Sequence, residues 1–209
     1  AAGTIVVNST ADDQANDGEC TLREAIIAAN TDTASGAAVG ECVAGNGADT
    51  IEFAIAGAAD FTNNTQDGYT ITPGSIGLPP IVSQVVIDGY SQNEAGSVSA
   101  PNTATAPNPF NGTLLIRIDG GLVDPGVPAL DFRAGSSNSV VKGLVINNLA
   151  NGDAIRIVGS LGHTISGNYI GTTPAVTAKV ANCVCLNAHT ELGAGMGKNV
   201  QVGGTLPAD

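Results

Sequence analysis

Tryptophan is absent from this chain, aromatic residues make up only 3% of it, and methionine occurs once. Its interior must therefore be filled by Val, Ile, Leu and Ala, a small and largely β-branched set that suits narrow spaces between stacked strands. Positive charge is equally scarce. The 7 Lys and Arg stand against 19 Asp and Glu, a net charge of −12. Such a chain repels polyanions at long range, which argues against a nucleic-acid partner. Charged residues are only 12% of the total, so Asn, Ser, Thr and Gly carry most of the solubility, and the acidic excess reads as a solvated surface. No window approaches 18 consecutive apolar residues, so the sequence offers no membrane span. It opens without Met or a basic, apolar leader, and the expectation is of a mature, exported chain whose leader has been removed.

What is present begins with one amphipathic segment. In Cys20-Thr21-Leu22-Arg23-Glu24-Ala25-Ile26-Ile27-Ala28-Ala29-Asn30, Thr21 and Glu24 have capping-box spacing. Leu22, Ala25, Ile26 and Ala29 then share one face. The spacing predicts a helix over about 21–30, stopped near Asn30, acting as a lid on an array of strands. Thr21, Leu22, Glu24 and Ile26 are its structural residues.

Periodicity in the second half predicts that array. Val141-Lys142-Gly143-Leu144-Val145-Ile146 overlays Ile165-Ser166-Gly167-Asn168-Tyr169-Ile170, 24 residues on, and Leu130 to Arg133 overlays Ile155 to Val158, 25 residues on. Val86-Ile87-Asp88-Gly89 similarly overlays Arg117-Ile118-Asp119-Gly120, 31 residues on. Short strands separated by Gly, Asn and Ser turns at this spacing predict an all-β, right-handed parallel β-helix, a solenoid, with an amino-terminal capping helix. At 209 residues the chain is expected to be one domain. Residues 1–60 form the cap region and 61–209 the coils, with a loop thrown out over about 90–112. Gly143 and Gly167 recur where a turn needs freedom, and Asn147, Asn148, Asn168 and Asn187 mark corners, as turn residues or stacked amides. No cap is visible near the carboxyl end, which leaves an open coil available for self-assembly or for a continuing array.

Four cysteines permit two bridges whose pairing the sequence alone leaves open. Cys183 and Cys185 lie on the same side of any strand, as a second thiol pair or as buried apolar residues. With only His163 and His189 in support, zinc is the lesser reading. Asp12, Asp13 and Asp17 supply oxygens for calcium, but their spacing departs from the Asp-x-Asp-x-Asp-Gly loop, and the default is a solvated turn with no cofactor. Asn8, Asn63 and Asn111 begin glycosylation sequons.

Catalytic constellations are thin. A glycoside hydrolase needs two carboxylates on one outward face, and a lyase needs a cationic base beside an acidic sugar. Asp119, Asp131 and Arg156 are the candidates for such a carbohydrate face. Against them, aspartate before glycine is a turn residue, and the repeat places Asp131 over Arg156 as an ordinary ion pair. His163 and His189 read as isolated turn residues.

The run Cys-Thr-Leu-Arg-Glu-Ala-Ile at 20–26 resembles the CSLREA domain. Further matches are Thr10-Ala11-Asp12-Asp13, Asp17-Gly18-Glu19-Cys20, Gly47-Ala48-Asp49-Thr50-Ile51-Glu52-Phe53, Leu78-Pro79-Pro80-Ile81 and Val86-Ile87-Asp88-Gly89. Thr21 replaces the family serine and keeps the capping hydroxyl. That domain lies near the amino end of bacterial extracytoplasmic proteins that continue as pectin-lyase-like parallel β-helices. The resemblance implies a secreted or cell-surface location and favours a Cys20–Cys42 bridge that ties down the helix. It implies no reaction. Together these readings predict a non-catalytic structural or adhesive module that meets carbohydrate or a cell-surface receptor. The alternative is a polysaccharide lyase or glycoside hydrolase.

Overall fold

The computed structural model describes residues 3–104, 111–175, 184–189 and 201–202, the last two segments as backbone strands. In chain order its regular elements are β1 (Thr4–Val7), α1 (Leu22–Thr31), β2 (Asp49–Phe53), β3 (Phe61–Asn63), β4 (Gln66–Ile71), β5 (Val85–Asp88), β6 (Asn93–Glu94), β7 (Ser97–Val98), β8 (Ile116–Asp119), β9 (Leu130–Phe132), β10 (Val140–Lys142), β11 (Leu144–Asn147), β12 (Asp153–Val158), β13 (Thr164–Ser166), β14 (Tyr169–Ile170), β15 (Val184–His189) and β16 (Gln201–Val202). Two single-turn 3₁₀ segments, Gly89–Ser91 and Gly120–Leu122, follow β5 and β8.

The aliphatic residues explain the pairing. In the sheet β1-β2-β5-β10-β13-β16 every pair is parallel. Its register lines up Ile5, Ile51, Ile87, Val141 and Ile165, all at most 3% exposed. Each rung hydrogen-bonds the next while these side chains fill one continuous interior. A second sheet, β14-β11-β8-β4-β3, stacks Ile71, Ile118 and Ile146, and a third, β15-β12-β9, pairs Leu130 with Ile155 and Phe132 with Ile157. The pairings Val141 with Ile165 and Leu130 with Ile155 have the spacings read from the sequence.

The expectation of a right-handed parallel β-helix, a solenoid, is nevertheless corrected. The strands are two to six residues long, divide among four separate sheets, and mix parallel with antiparallel pairing. β3 and β4 form an antiparallel hairpin, β6 and β7 a second, and Ala100 bridges Thr113 in antiparallel sense. The cause of the first is local: Asn64 and Thr65 both sit at positive φ, 49° and 67°, the geometry of a type I′ turn. The hairpin β6–β7 lies inside 90–112 and is bound to the rest by Gln92, 0% exposed, whose amide group exchanges hydrogen bonds with the backbone N–H and C=O of Ile55.

The 31-residue overlay also fails. β5 pairs with β10 and β8 with β11 and β4, so Asp88 and Asp119 belong to different sheets. Ile-Asp-Gly recurs because each aspartate caps the following 3₁₀ turn, accepting from Tyr90 N or Gly121 N. The glycines at 143 and 167 do stack, at φ 73° and 62°, and the Tyr90 side chain lies against both. Asn168 bridges backbone across that corner, from Leu144 N to Val141 O, rather than joining an amide ladder.

Candidate functional site

The helix supplies the most elaborate polar site. Thr21 takes the N-cap position, its hydroxyl accepts the Glu24 amide at 3.2 Å, and the Glu24 carboxylate accepts the Thr21 amide at 3.0 Å. Asp32, in the left-handed conformation, ends the helix two residues beyond the expected Asn30. Leu22 and Ile26 are buried against the strands, with α1 packed on β1 and β2. Glu24 is 2% exposed, and burial pushes its pKa up from the ordinary carboxylate value, while the hydrogen bonds from Thr21 pull the other way. Cys20 and Cys42 are joined, with Cα atoms 4.7 Å apart, fixing the helix start to the loop after it.

Arg23, to which the sequence reading gave no role, is the hub of this region. Its guanidinium forms a bidentate pair with Asp12, at 2.9 and 2.8 Å, and donates to Gly77 O at 2.6 Å. The same Asp12 carboxylate accepts Gly74 N at 2.7 Å. One arginine thus joins α1, the loop before it and the loop 73–78. An open cleft of about 390 Å³ lies alongside, lined by Asp12, Asp13, Gln14, Arg23 and residues 74–76. Asp49 is a second organiser, 1% exposed, with one oxygen accepting Gly3 N and Asn46 N and the other without a partner among the described residues.

These contacts engage two of the three calcium candidates. Asp12 is committed to Arg23, Asp17 accepts Glu19 N within its own turn, and Asp13 is exposed. Among the described residues no group of three or more His, Cys, Asp or Glu is placed to hold a metal. Cys183 lies outside the described residues, and Cys185 is described only as a position in β15.

The three carbohydrate-face candidates fall in two sheets. Asp131 and Arg156 meet across β9 and β12, Arg156 gripping both carboxylate oxygens at 3.0 and 2.8 Å while Arg133 adds a third bond at 2.9 Å. Asp119, on β8, is bound by Arg117 and accepts Gly121 N and Asn148 Nδ2. Lys142 pairs with Asp88 at 2.8 Å. The structure therefore brings Asp131 and Arg156 together as a salt bridge and gives Asp119 a separate one.

Of the two histidines expected as isolated turn residues, His189 is the last position of β15, and His163 lies between β12 and β13 but is not isolated. It is 2% exposed, its Nε2 is 2.8 Å from Ser160 Oγ, and its ring centroid is 5.2 Å from that of Phe132. A Ser–His pair invites comparison with a nucleophile and its base, but Ser160 is buried, 1% exposed. The signal for this corner was in the sequence as Gly135-Ser136 and Gly159-Ser160, repeating at the 24-residue spacing. Among the described residues, no helix is long and apolar enough to cross a membrane. No family model, no curated protein and no solved structure matches the chain.

Proposed function

We propose that this chain is a non-catalytic structural or adhesive module of a bacterial secreted or cell-surface protein, or a subunit of an extracellular assembly. The observation that carries this reading is the state of the charges. Each of the five described cations, Arg23, Arg117, Arg133, Lys142 and Arg156, is held in a salt bridge to an aspartate. A lyase needs a cation free to approach an acidic sugar, and a hydrolase needs a carboxylate free to exchange protons. Here every described cation, and with them the candidate carboxylates Asp119 and Asp131, is spent on holding neighbouring strands and loops together.

Export is supported by the resemblance of 20–26 to the CSLREA motif and by the Cys20–Cys42 bond, which persists in oxidising compartments. The acidic surplus further favours neutral or cationic surfaces over polyanions as partners.

The test is incubation of the purified chain at high concentration with neutral and uronate polysaccharides, monitoring new reducing ends and unsaturated-uronate absorbance. The expected outcome is no turnover, with binding measured in parallel by co-sedimentation. Turnover lost in Asp131→Asn or Arg156→Gln overturns the reading.

A further inference from the structure

Two successive rungs repeat the same corner. Ser136 and Ser139 occupy it in one rung, and Ser160 and His163 occupy it 24 residues later. The register continues through the corner: Ser136 Oγ lies 3.2 Å from Ser160 Oγ, and Thr164 N donates to Ser139 O at 3.0 Å. Asn138 N donates to Leu161 O at 2.8 Å. All four corner side chains are at most 2% exposed. An imidazole thus stands in a column where the rung before it has a hydroxyl.

The hydrogen-bond inventory leaves that imidazole one partner short. The Ser136 hydroxyl donates to Arg133 O, and the Ser139 hydroxyl donates to Ser136 O while accepting Val85 N. Among the described residues only the Ser160 hydroxyl remains for His163, and it meets Nε2, so Nδ1 is buried with no partner among them. This holds for either neutral tautomer. If Nε2 carries the proton, Nδ1 is a bare acceptor; if Nδ1 carries it, the N–H has nowhere to go. A neutral ring tolerates this at modest cost, whereas an imidazolium must bury a full charge and an unanswered donor.

We propose that the His163 corner is an acid-released latch: a proton taken up by the imidazole drives it out of the column and frees β13 and the turn before it from β10. The proposal stands independently of the functional reading above.

The surroundings decide whether a charge could be accommodated. From β9, Phe132 meets the ring; Asp131 and Arg133 flank it in sequence, alternate to the other face of the strand, and are bound to each other. From β12, Arg156 is held by the same Asp131, and Asp153 begins the strand, at the end away from the corner that follows Val158. From β10, Lys142 is bound to Asp88. β13 has no ionisable residue, and β16, paired with it, consists of Gln201 and Val202. Burial alone moves the imidazole from its ordinary pKa, with no charge among the described residues offsetting it. The Phe132 ring is the one favourable neighbour for a cation, and it is tilted by 58°. Its contribution is smaller than the hydration given up on burial.

Burial pushes the His163 pKa below its ordinary value of 6.5. The unfolded chain therefore binds more protons than the folded one once the pH drops below that value. The corner is fully stable above it and weakens progressively as the pH falls.

The experiment pairs the wild type with His163→Ser, which repeats the residue of the preceding rung. Hydrogen exchange at the Thr164 and Asn138 amides, corrected for intrinsic rates, is followed from about pH 7.5 to pH 5.5. Wild-type protection at these amides should fall at least about tenfold more than in His163→Ser, while Ala25 in α1 changes equally in both. An equal loss in the two proteins overturns the proposal. Should His163→Ser lack a cooperative melt, NMR titration of the wild-type imidazole decides. Titration below 6.5, with the Thr164 amide shift following the same curve, supports the latch. Titration at or above 6.5 overturns it.

Discussion

Glu24 shows how one buried carboxylate can be both required and costly. It completes the capping box by accepting the Thr21 amide, yet it does so at 2% exposure, where ionisation is penalised. A carboxyl whose folded pKa is raised takes up protons more readily when folded, so the penalty is present above the folded value and relieved as pH falls through it. Glu24→Gln keeps an acceptor for the Thr21 amide and removes the charge. It should leave stability at pH 7 within about 0.5 kcal/mol of wild type, whereas Glu24→Ala strands a buried N–H and should cost about 1–2 kcal/mol. Urea denaturation of the three proteins checks both. Asp131 differs because its partners, Arg133 and Arg156, retain side-chain exposures of 38% and 25%. Solvent screens them, and Asp131→Asn should cost no more than about 1 kcal/mol, less at high salt.

At the scale of elements, the disulfide and the stacked glycines make opposite kinds of constraint. Cys20–Cys42 closes a loop with a sequence separation of 22 that contains all of α1. The loop restricts the unfolded chain, and reduction should cost roughly 3 kcal/mol, read as a lower Tm in reductant than in its oxidised control. Gly143 restricts the folded chain instead. Its φ is 73°, and a Cβ there would lie 2.7 Å from Tyr90 N and 2.8 Å from Tyr90 Cγ. At Gly126 the φ is similar, 86°, but nothing lies within 4 Å. Gly126→Ala should therefore cost about 1 kcal/mol from the dihedral alone, and Gly143→Ala more than about 2 kcal/mol because strain and overlap add. Equal losses in a denaturation comparison would show that the Tyr90 contact is loose.

These elements also show what the sequence could and could not reveal. The helix was legible because a capping box and an apolar face are codes only a few residues long. Val141 over Ile165 was legible because paired rungs leave matching aliphatic residues at a fixed interval. The β3–β4 hairpin was not, since Asn64 and Thr65 adopt positive φ without a glycine to announce it. The Val86 over Arg117 overlay misled because Ile-Asp-Gly encodes a local cap rather than a register. Arg23 stood inside the recognised motif, but its partners Asp12 and Gly77 lie 11 and 54 residues away, on loops whose paths no local pattern specifies.

For the whole molecule, the charge balance decides how stability responds to salt. Asp13, Asp17, Glu19, Asp32, Asp60 and Asp124 are exposed carboxylates that contribute to the net charge of −12 and repel one another, while the described cations are committed to partly buried pairs. Salt screens exposed charges separated by more than a Debye length, about 8 Å at physiological ionic strength, far more effectively than it weakens contacts near 3 Å between half-buried groups. Repulsion is thus lost first. Raising NaCl from about 20 mM to about 500 mM at pH 7.5 should increase Tm by several degrees, and most of the gain should arrive by about 150 mM. The pH is chosen so that His163 stays neutral, which separates this effect from the corner described above. A Tm that falls with salt would mean that the five ion pairs outweigh the acidic surplus, and that the strand stacks depend on Asp131 and its neighbours more than on their aliphatic interior.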